Sequence, residues 1–394
     1  MAQVLIVSQD AKMLINFRGD FIKALADLGH NVIVLGPHYE SDYRRLIAEH
    51  GASYKKITLD RTGVNPFKDI LSFFMIYKAI KKTKPDIVYS YNLKPVIYGS
   101  LAAAYAGVHK IYSMIPGLGF VFTDSNGAKR KILQIVVKLL LRVSLQKNNA
   151  IFVLNNDDYN FFKHNLLKGK DVRIILTYGE GVNLRKFYFT QPIINPFSFL
   201  LIARILRDKG IFEYVKAAQI LKKRYPDVNF KLIGPLDSNP SAVKLKELEY
   251  WIKEGYVEYL GEVSDVRPYI AGCSVYVLPS YREGMPRTIL EAMAMGRPII
   301  TTDVPGCRET VDDGFNGFKV KVKDVSSLVE AMEKFILNPS LVKTMGERSR
   351  QIAEERYDVD KVNGIILQEL GLLDVSLIGK VIHFSEAVNN KNIY

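Results

Sequence analysis

The stretch Pro279-Ser280-Tyr281-Arg282-Glu283-Gly284-Met285-Pro286-Arg287-Thr288-Ile289-Leu290-Glu291-Ala292-Met293-Ala294-Met295-Gly296-Arg297-Pro298 carries the densest signal in the chain. A buried strand, Val275 to Pro279, leads into it, and a helix follows from about Thr288 to Met295. The next apolar run, Pro298 to Thr302, closes a strand–helix–strand unit. Pro286 at the helix start, with Gly284 shortly before it, leaves backbone N–H groups aimed out of that end, a geometry suited to a diphosphate. Glu283 and Glu291 are eight residues apart, one in the loop and one inside the helix. They can therefore address different parts of one elongated ligand.

The same alternation extends upstream. Phe199 to Ile205, Phe230 to Gly234 and Val257 to Leu260 read as strands, with helices to about Arg224 and Glu254 between them. Before that, Gly181 to Phe197 loses regular pattern and contains Pro192, Pro196 and several Asn residues, which predicts a linker. The N-terminal half repeats the scheme. Val4-Leu5-Ile6-Val7-Ser8, a helix from about Gly19 to Leu28, and Asn31 to Leu35 form a first unit. Runs at Ile87 to Tyr89, Lys110 to Met114 and Ala150 to Leu154 continue it. The chain is long enough for two domains, and the pattern predicts an α/β protein of two doubly wound, Rossmann-like domains facing a central cleft.

Charge is distributed unevenly. The net charge is +13, and residues 1–190 hold 27 Lys and Arg against 14 Asp and Glu, whereas the remainder is balanced. The N-terminal half therefore expects an anionic partner: nucleic acid, an acidic lipid surface or a phosphate-bearing substrate. Cys273 and Cys307 belong to no spaced motif, which predicts neither a disulfide framework nor a zinc site, and a reducing compartment. The first residues run directly into a strand, so a cytosolic location is expected. No apolar run reaches the roughly 20 residues of a spanning helix. The segment Lys129 to Lys147 combines Ile, Leu and Val with Lys129, Arg130, Lys131, Lys138 and Arg142, a pattern shared by core-packed amphipathic helices and helices that lie in a membrane interface.

The E-x7-E spacing, entered by Glu-Gly-Met-Pro and closed by Glu-Ala-Met-Ala-Met-Gly-Arg-Pro, resembles the signature of retaining glycosyltransferases of family 4, which have the GT-B fold. Leu201 to Gly210 is similar to the family's Arg and Lys pair, here Arg204 and Lys209, placed after the first strand of the second domain. The resemblance covers about residues 1–370 and is tighter after residue 198. It implies that Arg204 and Lys209 bind the donor diphosphate and that Glu283 contacts hydroxyls of the donor sugar. Glu291 would hold the nucleotide ribose, and Gly284, Met285, Pro286, Thr288 and Ile289 would line the sugar and diphosphate. It implies a UDP-sugar donor, no cofactor, no metal, and front-side attack in which the leaving phosphate takes the acceptor's proton.

The N-terminal half departs from the commoner family pattern. Ser8 to Asp20 lacks a Gly-Gly loop, and Ile115 to Phe120 stands where many relatives carry a His. Phe17-Arg18 and Gly117-Leu118-Gly119 instead look like the subgroup that extends polyprenyl diphosphate-linked saccharides in bacterial surface polysaccharide and glycoprotein pathways. On that resemblance residues 1–183 form the acceptor domain, residues 198–356 the nucleotide-sugar domain, and residues 357–394 a helix and tail crossing back to the first domain. Arg18, Lys94, Gly117 and Gly119 are the candidate acceptor contacts, with Arg18 and Lys94 placed in loops. The expected setting is peripheral contact with anionic lipid at the inner face of the cytoplasmic membrane.

Bland readings compete at each position. An arbitrary Glu pair is usually a solvated helix start, and isolated surface cations are ordinary; the surrounding loop, strand and glycine favour binding. Asp358-Val359-Asp360 matches a metal-binding string of another glycosyltransferase fold but precedes a C-terminal helix instead of following a strand. No G-x-G-x-x-G points to a nicotinamide cofactor. A UDP-sugar epimerase on this architecture would need acid and base groups such as His, which the loops lack. A nucleic-acid-binding protein would account for the charge but leaves the glutamate loop unexplained.

Overall fold

In the computed structural model, residues 1–37, 41–59, 65–118, 128–237, 239 and 241–373 are described. The chain forms two compact units: Met1–Glu180 joined by the segment from Val359 onward, and Gly181–Asp358. In the first unit β1 (Gln3–Ser8), β2 (Asn31–Gly36), β3 (Ala52–Lys56), β4 (Ile87–Tyr91), β5 (Lys110–Ile115), β6 (Ala150–Val153) and β7 (Arg173–Leu176) make a parallel sheet in the order β3-β2-β1-β4-β5-β6-β7. Helices α1 (Ala11–Asp27), α2 (Ser41–Glu49), α3 (Pro66–Thr83), α4 (Leu93–Tyr105), α5 (Ala128–Leu145) and α6 (Asn156–Asn160) connect them. Strands buried on both faces, such as β1 and β4, are mostly aliphatic or aromatic because each face lies under helices.

The second unit repeats the plan with β8 (Ser198–Ile202), β9 (Asn229–Ile233), β10 (Glu258–Tyr259), β11 (Val275–Leu278), β12 (Ile299–Thr302) and β13 (Gly317–Val320), ordered β10-β9-β8-β11-β12-β13. Its helices are α7 (Ile211–Arg224), α8 (Leu245–Lys253), α9 (Arg267–Ala271), α10 (Arg287–Ala294), α11 (Val325–Leu337) and α12 (Ser340–Arg356). Both sheets are doubly wound, and each reverses direction once, between β1 and β4 in the first and between β8 and β11 in the second. Those reversals are where open α/β sheets bind ligands, because loops leave the adjacent carboxyl ends in opposite directions.

Two features differ from the pattern read in sequence. Helix α1 begins at Ala11, eight residues before Gly19, because Asp10 is extended and its carboxylate accepts the Met13 N–H as an N-cap. Residues 181–197, read as a linker, carry no helix or strand but are fixed to the second unit. The Val182 N–H bonds the Tyr357 carbonyl, and the Thr190 carbonyl and hydroxyl both accept from the Arg297 guanidinium. Buried Arg297 also reaches the Ile270 and Ala271 carbonyls, and burial lowers its pKa. The last helix among the described residues, α13 (Val359–Glu369), belongs to the first unit and packs on α1 through a face that buries Val362, Ile366 and Leu367.

Candidate active site

The loops that follow β8 and β11 meet at the reversal of the second sheet. After β8 the chain makes a short turn, Arg207–Lys209, and enters α7 through Gly210 at φ 74°. A Cβ at Gly210 would lie 2.1 Å from the Pro279 carbonyl oxygen, so only glycine lets the two loops come this close. The Tyr281 N–H then bonds the Asp208 carbonyl at 2.8 Å, and the Tyr281 hydroxyl donates to Glu213 at 2.8 Å. Gly306, at φ 81°, backs the same loop, where a Cβ would press on the Glu283 and Gly284 carbonyls at 2.6 Å.

This approach brings Lys209 and Glu283 together across 74 positions of sequence. The Lys209 Nζ lies 2.5 Å from Glu283 Oε1, with both side chains mostly buried, and the Ser280 Oγ donates to the same oxygen at 2.7 Å. The Glu283 N–H bonds the Pro305 carbonyl, which fixes the backbone beneath the carboxylate. Glu283 thus has a set position and a neighbouring cation. Lys209 retains further N–H donors, since an ammonium carries three.

Pro286, expected at the first helical position, is instead the N-cap of α10, and the helix starts one residue later at Arg287. The first N–H groups of any helix have no carbonyl of their own helix to bond, so this end offers donors and a positive dipole. Met285 and Ile289 are buried beside it, and the Thr288 hydroxyl donates to the Ile202 carbonyl. Glu291, one turn further, is buried and paired with Arg287 at 3.0 Å. Burial raises the pKa of its carboxyl, opposed by the Arg287 charge.

Arg204 sits at the same carboxyl edge but pairs with Asp237 at 2.8 Å and remains half exposed. Among the described residues its side-chain partner is Asp237 and not a member of the Lys209–Glu283 cluster. Sequence reasoning missed Ser280, Asp237 and Arg287 as partners. For Arg287 a signal was present, because its spacing of four from Glu291 on a helix favours an ion pair. Both cysteines are buried, and burial pushes Cys273 up to about 11 and Cys307 up to about 12, the latter aided by the Glu283 charge. Neither is poised as a nucleophile. Among the described residues no group of three or more His, Cys, Asp or Glu is arranged to hold a metal ion.

The acceptor candidates fare differently. Arg18 is corrected from a loop cation to a buried residue of α1, 1 % exposed, whose guanidinium donates to the Glu180 carbonyl and Asn363 Oδ1 and lies over the Phe21 ring. Tyr91 completes this cluster by donating to Glu180 Oε1 at 2.5 Å. Lys94 likewise belongs to a helix, α4, and is paired with Asp69 at 2.8 Å. Gly117 follows β5 beside buried Leu118, and Gly119 lies outside the described residues.

Two doubly wound parallel domains, with a glutamate, a lysine and a helix start at the reversal of the second sheet, define the GT-B class of glycosyltransferases. Residues 189–352 match the family described as glycosyl transferases group 1, and residues 4–155 match glycosyl transferase 4-like proteins. The chain belongs to this family-4 group of GT-B glycosyltransferases, and it is an enzyme. It is 29 % identical to the N,N'-diacetylbacillosaminyl-diphospho-undecaprenol alpha-1,3-N-acetylgalactosaminyltransferase of Campylobacter jejuni, over 89 % of this chain and 94 % of that protein. It is 26 % identical to the UDP-Gal:alpha-D-GlcNAc-diphosphoundecaprenol alpha-1,3-galactosyltransferase of Escherichia coli, over 76 % of this chain and 78 % of that one. Its fold matches the sucrose-phosphate synthase of Thermosynechococcus elongatus with a TM-score of 0.76 at 18 % identity, covering 93 % of this chain and 98 % of that one. HepE of Anabaena in complex with UDP and glucose matches at 0.73 and 19 %, covering 95 % and 100 %.

Proposed function

We propose that this enzyme moves a hexose or N-acetylhexosamine from a UDP-sugar to a polyprenyl diphosphate-linked saccharide, with retention at the anomeric carbon, in the assembly of a surface polysaccharide or glycoprotein glycan. The observation that carries the reading is the Lys209–Glu283–Ser280 cluster beside the start of α10, at the reversal of the second sheet. The donor diphosphate lies against that helix start, with Lys209 and Arg204 as its cations. As the glycosidic bond breaks, negative charge grows on the departing diphosphate. Fixed donors therefore bind the transition state more tightly than the substrate. Glu283, held by Lys209 and Ser280, takes the sugar hydroxyls, and Glu291 takes the ribose.

The acceptor hydroxyl attacks from the face the diphosphate leaves, and its proton passes to the leaving phosphate oxygen. No side chain need then act as base. The relatives that act on diphosphoundecaprenol-linked sugars support this acceptor class. The basic N-terminal half and the apolar, basic α5 support peripheral contact with anionic lipid at the inner membrane face. No helix among the described residues is long and apolar enough to cross a membrane.

The test is a thermal-shift screen of nucleotide sugars, followed by assay of the best binder with polyprenyl diphosphate-linked acceptors. Acceptor-dependent release of UDP with a new α-linkage is the expected result. Conversion of a UDP-sugar without acceptor would instead identify an epimerase.

A further inference from the structure

The first sheet steps one way from β1 to β3 and the other way from β4 to β7. Right-handed crossovers therefore place α3, α4 and α5 together on one face. Helix α4 packs between the other two. Its small residues bring it close to the strands, with Gly99 so near Ser90 that a Cβ would meet the hydroxyl at 2.4 Å.

The helices on either side both turn apolar side chains outward. On α3 these are Phe67, Ile70, Leu71 and Phe74, spaced by three and four so that they form one stripe; Phe67 is 81 % exposed and the others about half. On α5 they are Ile132, Ile135, Val136, Leu139 and Val143, again one stripe, with Ile135 65 % exposed. Two such stripes on one face of a unit are more than the scattered single apolar residues of an ordinary surface and point to a use.

The charges beside the stripes select what covers them. Lys78, Lys81 and Lys82 continue the outer face of α3, and Lys131, Lys138 and Arg142 are exposed along α5. Helix α5 contains no Asp or Glu, and the one acid of α3, Asp69, is paired with Lys94. A second copy of the same face would set lysine against lysine. An anionic bilayer instead offers acyl chains to the stripes and phosphates to the cations, which reach outward on flexible stems.

We infer that α3 and α5 form a two-helix platform that seats this unit on an anionic lipid surface, with the Phe67–Phe74 stripe of α3 as a contact equal in weight to α5. Two separate lines of insertion fix orientation where one helix would leave the unit free to roll. The apolar half of α3 is its first half, and these helices start at the carboxyl edge of the sheet. The platform therefore holds that edge, between β1 and β4, against the headgroups. This last consequence rests on the proposed acceptor, whose diphosphate lies at the same depth.

The experiment is co-sedimentation of the full-length protein with vesicles of phosphatidylcholine alone or with about a third phosphatidylglycerol, in the absence of sugar substrates. The wild type is expected on the anionic vesicles and to leave them as salt rises. The pair Phe67→Ser and Phe74→Ser, and separately Ile135→Ser and Leu139→Ser, should each weaken binding about ten-fold or more. Melting temperature and turnover on a water-soluble short-chain acceptor should stay as in the wild type. Wild-type binding by the α3 pair overturns the proposal. So does a wild-type protein that ignores the vesicles and forms a dimer which these substitutions break. Absence of sugar transfer with vesicle binding intact would refute the proposed reaction and leave the platform standing.

Discussion

Lys209 and Glu283 show how far a single spacing can be read. Their residue types and their places after β8 and β11 were legible, because the flanking glycines and the apolar strands fix where each loop begins. That they touch was not legible, since the contact depends on Gly210 admitting the Pro279 carbonyl. Replacing Lys209 or Glu283 by Ala is expected to lower kcat/KM by about 100-fold or more, with little change in folding, as measured by UDP release and thermal melting. Normal turnover in both variants would sink the site assignment. Glu291 supplies a pH test. Its pKa is raised in the folded state, so the native protein holds that proton more tightly than the unfolded chain and this residue's contribution falls as pH rises past the unfolded value of about 4.3. Glu291→Gln, neutral throughout, escapes that loss. The melting difference between variant and wild type should therefore grow in the variant's favour from about pH 4 to pH 7. Arg18 was illegible for another reason: its partners Glu180 and Asn363 lie 162 and 345 positions away, and no local pattern marks such a buried cluster.

Elements were read best where apolar runs were strong. The central strands β1, β2, β4, β8 and β11 are buried on both faces and announce themselves. The edge strands β3, β7 and β13 did not, because Ala52–Lys56 alternates polar residues and Gly317–Val320 is short and opens on glycine. Loop geometry is the more consequential part. Gly210→Ala adds a left-handed alanine and a methyl 2.1 Å from the Pro279 oxygen, so the β8 and β11 loops must part. The expected cost is about 2 kcal/mol or more, together with weaker donor binding, measurable by denaturant unfolding and by calorimetric titration with UDP. Unchanged affinity in a folded variant would show that the two loops need not meet for donor binding.

At the scale of the molecule, the chain leaves the first unit after Glu180 and returns at Val359. Ending the chain after Asp358 would strip α13 from α1 and uncover the surface that Val362, Ile366 and Leu367 bury. Calorimetry should then show a lowered transition for the first unit and a nearly unaltered one for the second. A single unshifted transition would mean that the returning helix adds nothing to the unit it joins. The uneven charge also acquires a location at this scale, since α3 and α5 carry much of the basic surplus of the N-terminal half.

The burial of Cys273 and Cys307 has a practical corollary. With both native thiols sealed in the second unit and protonated at neutral pH, a cysteine introduced at an exposed position is the only one a maleimide or nitroxide reagent reaches. One such probe in each unit, placed without first replacing Cys273 or Cys307, would let spectroscopy follow their separation in solution while a nucleotide sugar is added.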